Sequence, residues 1–224
     1  MTLIAEDLFL LLLDDEKGTL GGTSYPQPVL GGALLIELAT TGAVEVEERT
    51  SVWRSAKVHP AGHPPEDAVL RAAYDVVAEK PRSAQDLVTR IGKGVRDTLA
   101  ERLAERGILE RQESRVLGLF PRTRWPAVDS RHEAELRARL TGVLVRGDEP
   151  DERTGALLAL LSAIDRAHKV VDHQGLPAKE VRQRARAIAE GAWAAKAVRD
   201  AILAASTAVT AAVTASTVAV TTSS

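Results

Sequence analysis

The strongest constraint on the fold is an uninterrupted apolar run near the start of the chain, from Leu8 to Leu13. Glu6 and Asp7 precede this run and no cationic segment does, so we expect it not to be a signal peptide. The run is also too short to cross a bilayer as a helix. A helix that is apolar on every side needs burial, so Leu3 to Leu13 predicts a buried helix against which other elements pack.

The composition favours further helices around this first one. Aromatic residues make up only 3% of a chain that is 45% hydrophobic, so the core consists mainly of Leu, Ala, Val and Ile. Such a core favours helix packing over a β-sandwich, and Val29 to Thr40 predicts a second apolar helix. Val44 to Val58 and Ile108 to Val128 predict peripheral β-hairpins. We predict a mainly α, single globular domain over residues 1–224, with an Ala- and Thr-rich C-terminal helix over about 201–224.

Cysteine usage, charge and missing motifs exclude several function classes. The absence of Cys removes disulfides, thiolate metal sites and cysteine nucleophiles. A formal net charge of −2 argues against broad nucleic-acid binding, which needs a basic excess. His59 and His63 have a spacing that suits a metal site on a helix, but the prolines around them forbid a regular helix. No catalytic triad order, glycine-rich phosphate loop or paired carboxylate motif is present, so we predict no enzyme activity, cofactor or metal.

Acidic residues within the two apolar helices leave more than one interpretation open. Glu6 and Asp7 lie in the first helix and Glu37 lies in the second. A buried carboxyl group can serve as a general acid, because burial raises its pKa. Alternatively, each carboxylate lies at an exposed edge, or caps a helix and accepts hydrogen bonds in the interior.

Three basic residues at intervals of three form the most suggestive local pattern. Arg90, Lys93 and Arg96 surround a predicted helix start at Gly92. Backbone N–H groups at a helix N-terminus favour an anion, and the positive end of the helix dipole adds to this. Side-chain cations nearby would complete a phosphate site. The alternative is a solvated basic helix face, which is common in proteins.

The second hairpin carries apolar residues near its middle, namely Val116, Leu117, Leu119 and Phe120. They are flanked by Arg115, Arg122, Arg124 and Trp125. Apolar residues ringed by Arg and accompanied by Trp suit the interface between water and an anionic bilayer. The alternative is that about half of these side chains face the core, as strand alternation predicts.

The order of helix, turn, helix and hairpin from Ser83 to Val128 also describes a winged helix. A DNA-binding interpretation would place the helix from Lys93 to Arg106 in the major groove. That helix carries Asp97, Glu101 and Glu105, whose charges repel phosphate. We therefore expect a partly winged-helix-like shape without nucleic-acid binding.

Three segments carry a distinctive pattern: Thr2 to Asp14 (TLIAEDLFLLLLD), Leu30 to Ala39 (LGGALLIELA) and Val95 to Leu109 (VRDTLAERLAERGIL). They resemble the Golgi phosphoprotein 3 family, and matches to it in this order run from Thr2 to roughly Val198. The chain looks like one of the short bacterial members. The resemblance implies a mostly helical domain with peripheral hairpins, one of which inserts into membranes and falls on Val116 to Phe120. It also implies recognition of phosphatidylinositol 4-phosphate at a membrane surface.

The resemblance also assigns residues to a headgroup site. Two basic positions of the family fall on Lys93 and Arg96, and both are basic here. A third position, an Arg in the family, falls on Gly31. The family Trp falls in the loop from Gly21 to Gln27, where Tyr25 is the aromatic residue.

These observations lead to two hypotheses. The first is a cytoplasmic, peripheral membrane adaptor at the inner membrane face, which binds an anionic, phosphoinositide-like lipid headgroup through Lys93 and Arg96, with Arg90 and Tyr25 nearby. The second is a winged-helix-like regulator that binds a protein or a nucleic acid. A client protein and a homo-oligomer stay open as partners under the first hypothesis.

Overall fold

Helices dominate the computed structural model, which describes residues 2–14, 18–20, 26–47, 56–116, 120–191 and 196–221. The α-helices in these ranges are α1 (Ile4–Leu12), α2 (Pro26–Thr40), α3 (Ala68–Ala78), α4 (Ala84–Ile91), α5 (Val95–Glu105), α6 (Arg131–Thr141), α7 (Glu152–Ala163), α8 (Ala178–Ala189) and α9 (Lys196–Thr221). A π-helical turn (Gly142–Arg146) continues α6, and a 3₁₀ turn (Ala167–Lys169) follows α7. The predicted mainly α fold is confirmed.

Short antiparallel strands lie between the helices. They are β1 (Leu13–Asp14), β2 (Thr19–Leu20), β3 (Val44–Val46), β4 (Lys57–Pro60), β5 (Arg82–Ser83), β6 (Gln112–Val116) and β7 (Phe120–Arg124). β3, β4 and β5 form a three-stranded sheet in that order, with Val44 opposite Pro60. β6 and β7 form a hairpin with Gln112 opposite Arg124 and Val116 opposite Phe120. The second predicted hairpin is therefore present. In the first, β3 pairs with β4 and gains β5 as a third strand, while residues 48–55 between β3 and β4 lie outside the described residues.

The core surrounds α1 and α2, as the apolar runs predict. Every residue of α1 is buried, and so is every residue of α2 from Pro28 to Leu38. α2 is the central helix, because α1, α4, α7 and α9 all pack against it. None of the helices in the described ranges combines the length and the apolarity that a membrane crossing requires.

Side-chain caps start some helices as the sequence predicts and not others. The sequence Ser83-Ala84-Gln85-Asp86 predicts a cap at a helix start, and the Ser83 hydroxyl accepts a hydrogen bond from the Asp86 N–H at 3.3 Å, which confirms that cap for α4. The sequence Ser130-Arg131-His132-Glu133 predicts a similar cap for α6, but this prediction is wrong, because the Ser130 side chain makes no cap hydrogen bond. Asp129 accepts the Arg131 N–H at 3.0 Å in its place, so the carboxylate one residue earlier satisfies that donor.

The start of α5 differs from the prediction in a way that affects the candidate site. The sequence predicts a helix from Lys93, but α5 begins at Val95. Gly94 has a φ of +80°, a conformation that glycine adopts far more readily than other residues, and it separates Lys93 from the helix. Lys93 therefore lies in the turn between α4 and α5.

Candidate anion-binding site

A cavity of about 860 Å³ lies where the start of α2, α4, the α4–α5 turn and the C-terminal part of α9 meet. Its polar lining comes mainly from α4 and the start of α5, and its apolar lining comes from prolines and alanines. The lining residues are Pro26, Gln27, Pro28, Ser83, Gln85, Asp86, Thr89, Gly92, Gly94, Arg96, Asp97, Ala212 and Ala215. Cavities of this size accommodate small molecules or lipid headgroups.

Among the residues that the structure describes, one cation lines this cavity, and it is Arg96. Its Nε is buried and has no hydrogen-bond partner in the described part of the chain. A guanidinium donor that is removed from water and left unpaired is energetically costly, so it favours an acceptor supplied from outside. Phosphate oxygens are well suited to this geometry, because arginine donates to them from a planar fork.

The other two residues of the predicted basic triad occupy different places. Arg90 has 53% of its side chain exposed, and its Nε donates to Asp86 at 2.8 Å, so an acidic partner already satisfies it. Arg90 does not line the cavity. Lys93 is exposed and lies between Gly92 and Gly94, both of which do line it. The structure thus places Arg96 in the cavity, Lys93 at its edge and Arg90 in a surface ion pair.

The contribution of helix dipoles is smaller than the sequence pattern suggests. α5 begins at Val95 and presents its positive end at the cavity, but α4 ends at Ile91 beside the same turn. The negative end of one helix and the positive end of the other partly offset one another, since each is worth about half an elementary charge. The side chain of Arg96 is therefore the main source of positive potential in the lining.

Glycines allow α2 and α4 to approach closely at the rim of the cavity. A Cβ atom added at Gly31 would overlap the carbonyl oxygen of Val88, and one added at Gly92 would overlap that of Gln27. Both obstructions are backbone atoms, which cannot rotate away as a side chain can. The resemblance places a family Arg at position 31. No side chain fits there while α2 and α4 pack against each other in this way.

Several lining residues were not predicted as site residues. Ala212 and Ala215 of α9 form one wall, and Gln27 and Thr89 contribute neutral polar groups. Alanines on a helix carry no chemical signature, so nothing in the sequence marks those of α9. Ser83 and Asp86 were identified only as a helix cap.

Part of the predicted membrane contact lies outside the described residues. The pairing of Val116 with Phe120 confirms the hairpin itself. Leu117 and Leu119 fall outside the described residues, as does Tyr25 of the predicted headgroup site. The role of this hairpin at a membrane therefore stays a prediction.

The buried carboxylates of α1 are tied to distant cations. Glu6 is fully buried, and its Oε1 lies 3.0 Å from Nη1 of Arg106 and 3.1 Å from Nε of Arg102. Its Oε2 accepts the Leu3 N–H at 2.7 Å, which fixes the start of α1. This carboxylate is saturated by partners within the chain, so it has a structural role.

Asp7 and Glu37 share one arginine. Asp7 accepts from Nε of Arg153 at 2.7 Å and lies 2.7 Å from Nε2 of His132. Glu37 accepts the Ile4 N–H at 2.6 Å, and Nη1 of Arg153 lies 3.7 Å away. Burial raises the pKa of Glu37 to about 7, although the Ile4 hydrogen bond and Arg153 both lower it. The interior hydrogen-bonding interpretation of these acids is thus confirmed.

The histidine pair forms no metal site within the described chain. His59 lies in β4 opposite Glu45, and its Nε2 is 4.0 Å from a Glu47 oxygen. His63 lies in the following loop. Across the described ranges, no three His, Cys, Asp or Glu side chains come close enough together to hold a metal ion.

Comparison with known proteins identifies one family. The family model described as Golgi phosphoprotein 3 (GPP34) matches residues 4–205. No curated protein matches the chain. The matched segment includes the α2, α4 and α5 walls of the cavity, whereas Ala212 and Ala215 of α9 lie beyond it.

Proposed function

Because the chain belongs to the Golgi phosphoprotein 3 family, we propose that it is a peripheral membrane protein that binds an anionic lipid headgroup in the cavity beside Arg96. Lys93 at the edge of the cavity supplies a second cation. In this proposal the protein is an adaptor and not a catalyst, and it works at the cytoplasmic, inner face of a membrane. The family resemblance implies phosphatidylinositol 4-phosphate as the headgroup. The proposed function requires only that the headgroup is anionic and does not depend on selection for that lipid.

The observation that carries the proposal is the unpaired, buried Nε of Arg96 in the lining of a headgroup-sized cavity. The surrounding charges explain why this cation and not Arg90 is available. Arg90 is held by Asp86, and Arg102 and Arg106 are held by Glu6 on the other side of α5. A phosphate that enters the cavity would provide the hydrogen-bond acceptor that the chain does not supply to Arg96.

The β6–β7 hairpin is proposed as the second contact with the membrane. Its apolar residues Val116, Leu117, Leu119 and Phe120 would enter the interfacial layer while the headgroup is held at the cavity. Two weak contacts of this kind together give firmer attachment than either alone. This assignment rests on the sequence pattern and on the family resemblance.

A vesicle-flotation experiment tests the proposed function. Wild-type protein should float with phosphatidylcholine vesicles that contain anionic lipid and not with phosphatidylcholine alone, and added salt should weaken the binding. The double variant K93A/R96A should lose at least about tenfold in affinity, since each phosphate hydrogen bond to a cation is worth about 1.5–3 kcal/mol.

The matched control is K179A/R186A, which removes two exposed cations of α8 away from the cavity. It lowers the net charge by the same amount, so it reports on non-specific attraction to the vesicle. Equal losses in the two double variants would contradict a headgroup site at Arg96. Absence of wild-type binding to every anionic vesicle would contradict the proposed function as a whole.

A further inference from the structure

The charge balance around the cavity limits which headgroup it can hold. Arg96, Asp86 and Asp97 line the cavity. Four further charged residues lie next to them: Arg82 and Arg90 pair with Asp86, Glu79 pairs with Arg82, and Lys93 lies between the lining residues Gly92 and Gly94. Four cations against three carboxylates leave one positive charge in excess. The ends of α4 and α5 add little, because their half charges are of opposite sign and meet at the same turn.

Two of these four cations are already paired with acidic partners. Arg82 donates to Glu79 at 2.7 Å, and its Nε lies 3.3 Å from Asp86. Arg90 donates to the other oxygen of Asp86 at 2.8 Å. What remains for a ligand is the guanidinium of Arg96, the exposed Lys93 and the carboxylate of Asp97 that faces the same cavity.

One positive charge in excess matches one phosphodiester. A phosphodiester carries a single negative charge, whereas a phosphomonoester carries about −1.5 to −2 at neutral pH. A phosphoinositide with a ring phosphate therefore brings about two further negative charges next to Asp97. Those charges would lie uncompensated in a partly desolvated cavity, which is unfavourable.

The packing of α2 prevents the obvious compensation. The family resemblance places a third cation at position 31, but a Cβ atom there overlaps the Val88 carbonyl oxygen. The neighbouring approach at Gly92 is closed in the same way by the Gln27 carbonyl oxygen. The cavity therefore retains its low positive charge for a steric reason and cannot gain an arginine at this position without separating α2 from α4.

The rest of the polar lining suits hydroxyl groups. Gln27, Ser83, Gln85 and Thr89 contribute neutral amide and hydroxyl groups, which can both donate and accept hydrogen bonds. Asp97 accepts hydrogen bonds from hydroxyl donors when it is ionised. An uncharged polyol presents the complementary set of donors and acceptors on a scaffold whose C–H groups can contact the Pro and Ala walls.

Resting on the function proposed above, we propose that the headgroup is an uncharged polyol joined through a single phosphodiester, as in phosphatidylinositol or phosphatidylglycerol, and not one that carries an added phosphomonoester. Arg96 and Lys93 bind the diester phosphate. The hydroxyl groups of the polyol contact Asp97 and the neutral polar lining.

Vesicle binding distinguishes this inference from the proposed function. Phosphatidylcholine vesicles are prepared with phosphatidylinositol, phosphatidylglycerol or phosphatidylinositol 4-phosphate, with mole fractions adjusted to equal total charge. Binding to the two diester lipids at least as tight as to the monoester lipid supports the inference. A fivefold or greater preference for phosphatidylinositol 4-phosphate overturns it and leaves the proposed function standing. Absence of binding to all three overturns both.

A single charge change tests the mechanism of selection. D97N removes the carboxylate from the lining and should shift the preference towards phosphatidylinositol 4-phosphate by about fivefold relative to wild type. E101Q is the control, because Glu101 is exposed one turn further along α5 and outside the lining. An unchanged preference in D97N, or an equal change in E101Q, overturns the assignment of selection to the charge of the cavity.

Discussion

Glu37 should make the stability of the fold fall as the pH rises, because its buried surroundings favour the protonated carboxyl group. The side chain is 4% exposed, and burial raises its pKa from 4.5 to about 7. The unfolded chain releases this proton near pH 4.5, whereas the folded chain retains it to about pH 7. The folded state therefore binds the proton more tightly. Protonation of Glu37 therefore stabilises the folded state fully below pH 4.5, and this stabilisation is lost as the pH rises through about 7.

The size of the effect follows from the width of this interval. Each pH unit between the two pKa values corresponds to about 1.4 kcal/mol, so the free energy of unfolding falls by about 3 kcal/mol from this group. E37Q removes the titration and keeps an oxygen that can accept the Ile4 N–H. The free energy of unfolding of E37Q, relative to wild type, should rise by about 3 kcal/mol between pH 4.5 and pH 8.

Urea unfolding followed by circular dichroism measures this difference directly. Titrations at several pH values are made on wild type and E37Q, so contributions from the other ionisable groups largely cancel. E101Q serves as the control, because it replaces an exposed carboxylate of α5 by the same amide. A flat difference for E37Q would refute the reasoning. A falling difference would show that Arg153 and the hydrogen bond outweigh burial.

Three further predictions concern packing, buried charge and helix caps. G31A should cost more than about 2 kcal/mol by crowding the α4 backbone, whereas G32A should cost less, since its Cβ would lie 2.8 Å from a Val209 methyl group and not against backbone atoms. Thermal unfolding compares the two. D7N should cost about 3–5 kcal/mol in the same assay, because it removes the charge of a fully buried carboxylate from its ion pair with the partly buried Arg153. S83A should cost about 1 kcal/mol in urea unfolding and S130A almost nothing, and equal costs would refute the cap assignment.

The sequence predicts those features that depend on neighbouring residues. The apolar runs identify α1 and α2 because a helix without a polar face has to be buried. The alternation of Val44, Glu45 and Val46 identifies β3, which is buried at Val44 and exposed at Glu45. In each case the pattern lies within one element, so the chain itself carries the information.

Features that depend on distant contacts could not be predicted. Asp7 pairs with Arg153, which is 146 positions away in the chain, and nothing in the local sequence connects them. Gly31 resembles any helical glycine until α4 is placed against it. The same limit applies to the site, since Arg90 and Arg96 have the same local spacing and only the fold shows that Asp86 holds one of them.

The central claim is that a lipid phosphate binds Arg96 in the cavity, and nuclear magnetic resonance of the arginine Nε–H groups tests it most directly. The Nε of Arg96 is buried and unpaired in the described structure, so its resonance reports on an incoming acceptor. Titration with glycerophosphoinositol, a soluble phosphodiester headgroup, should shift the Arg96 resonance saturably and leave the Arg102 resonance, whose Nε lies 3.1 Å from Glu6, in place. An Arg96 resonance that does not move while the protein still binds vesicles made with phosphatidylinositol would contradict the claim.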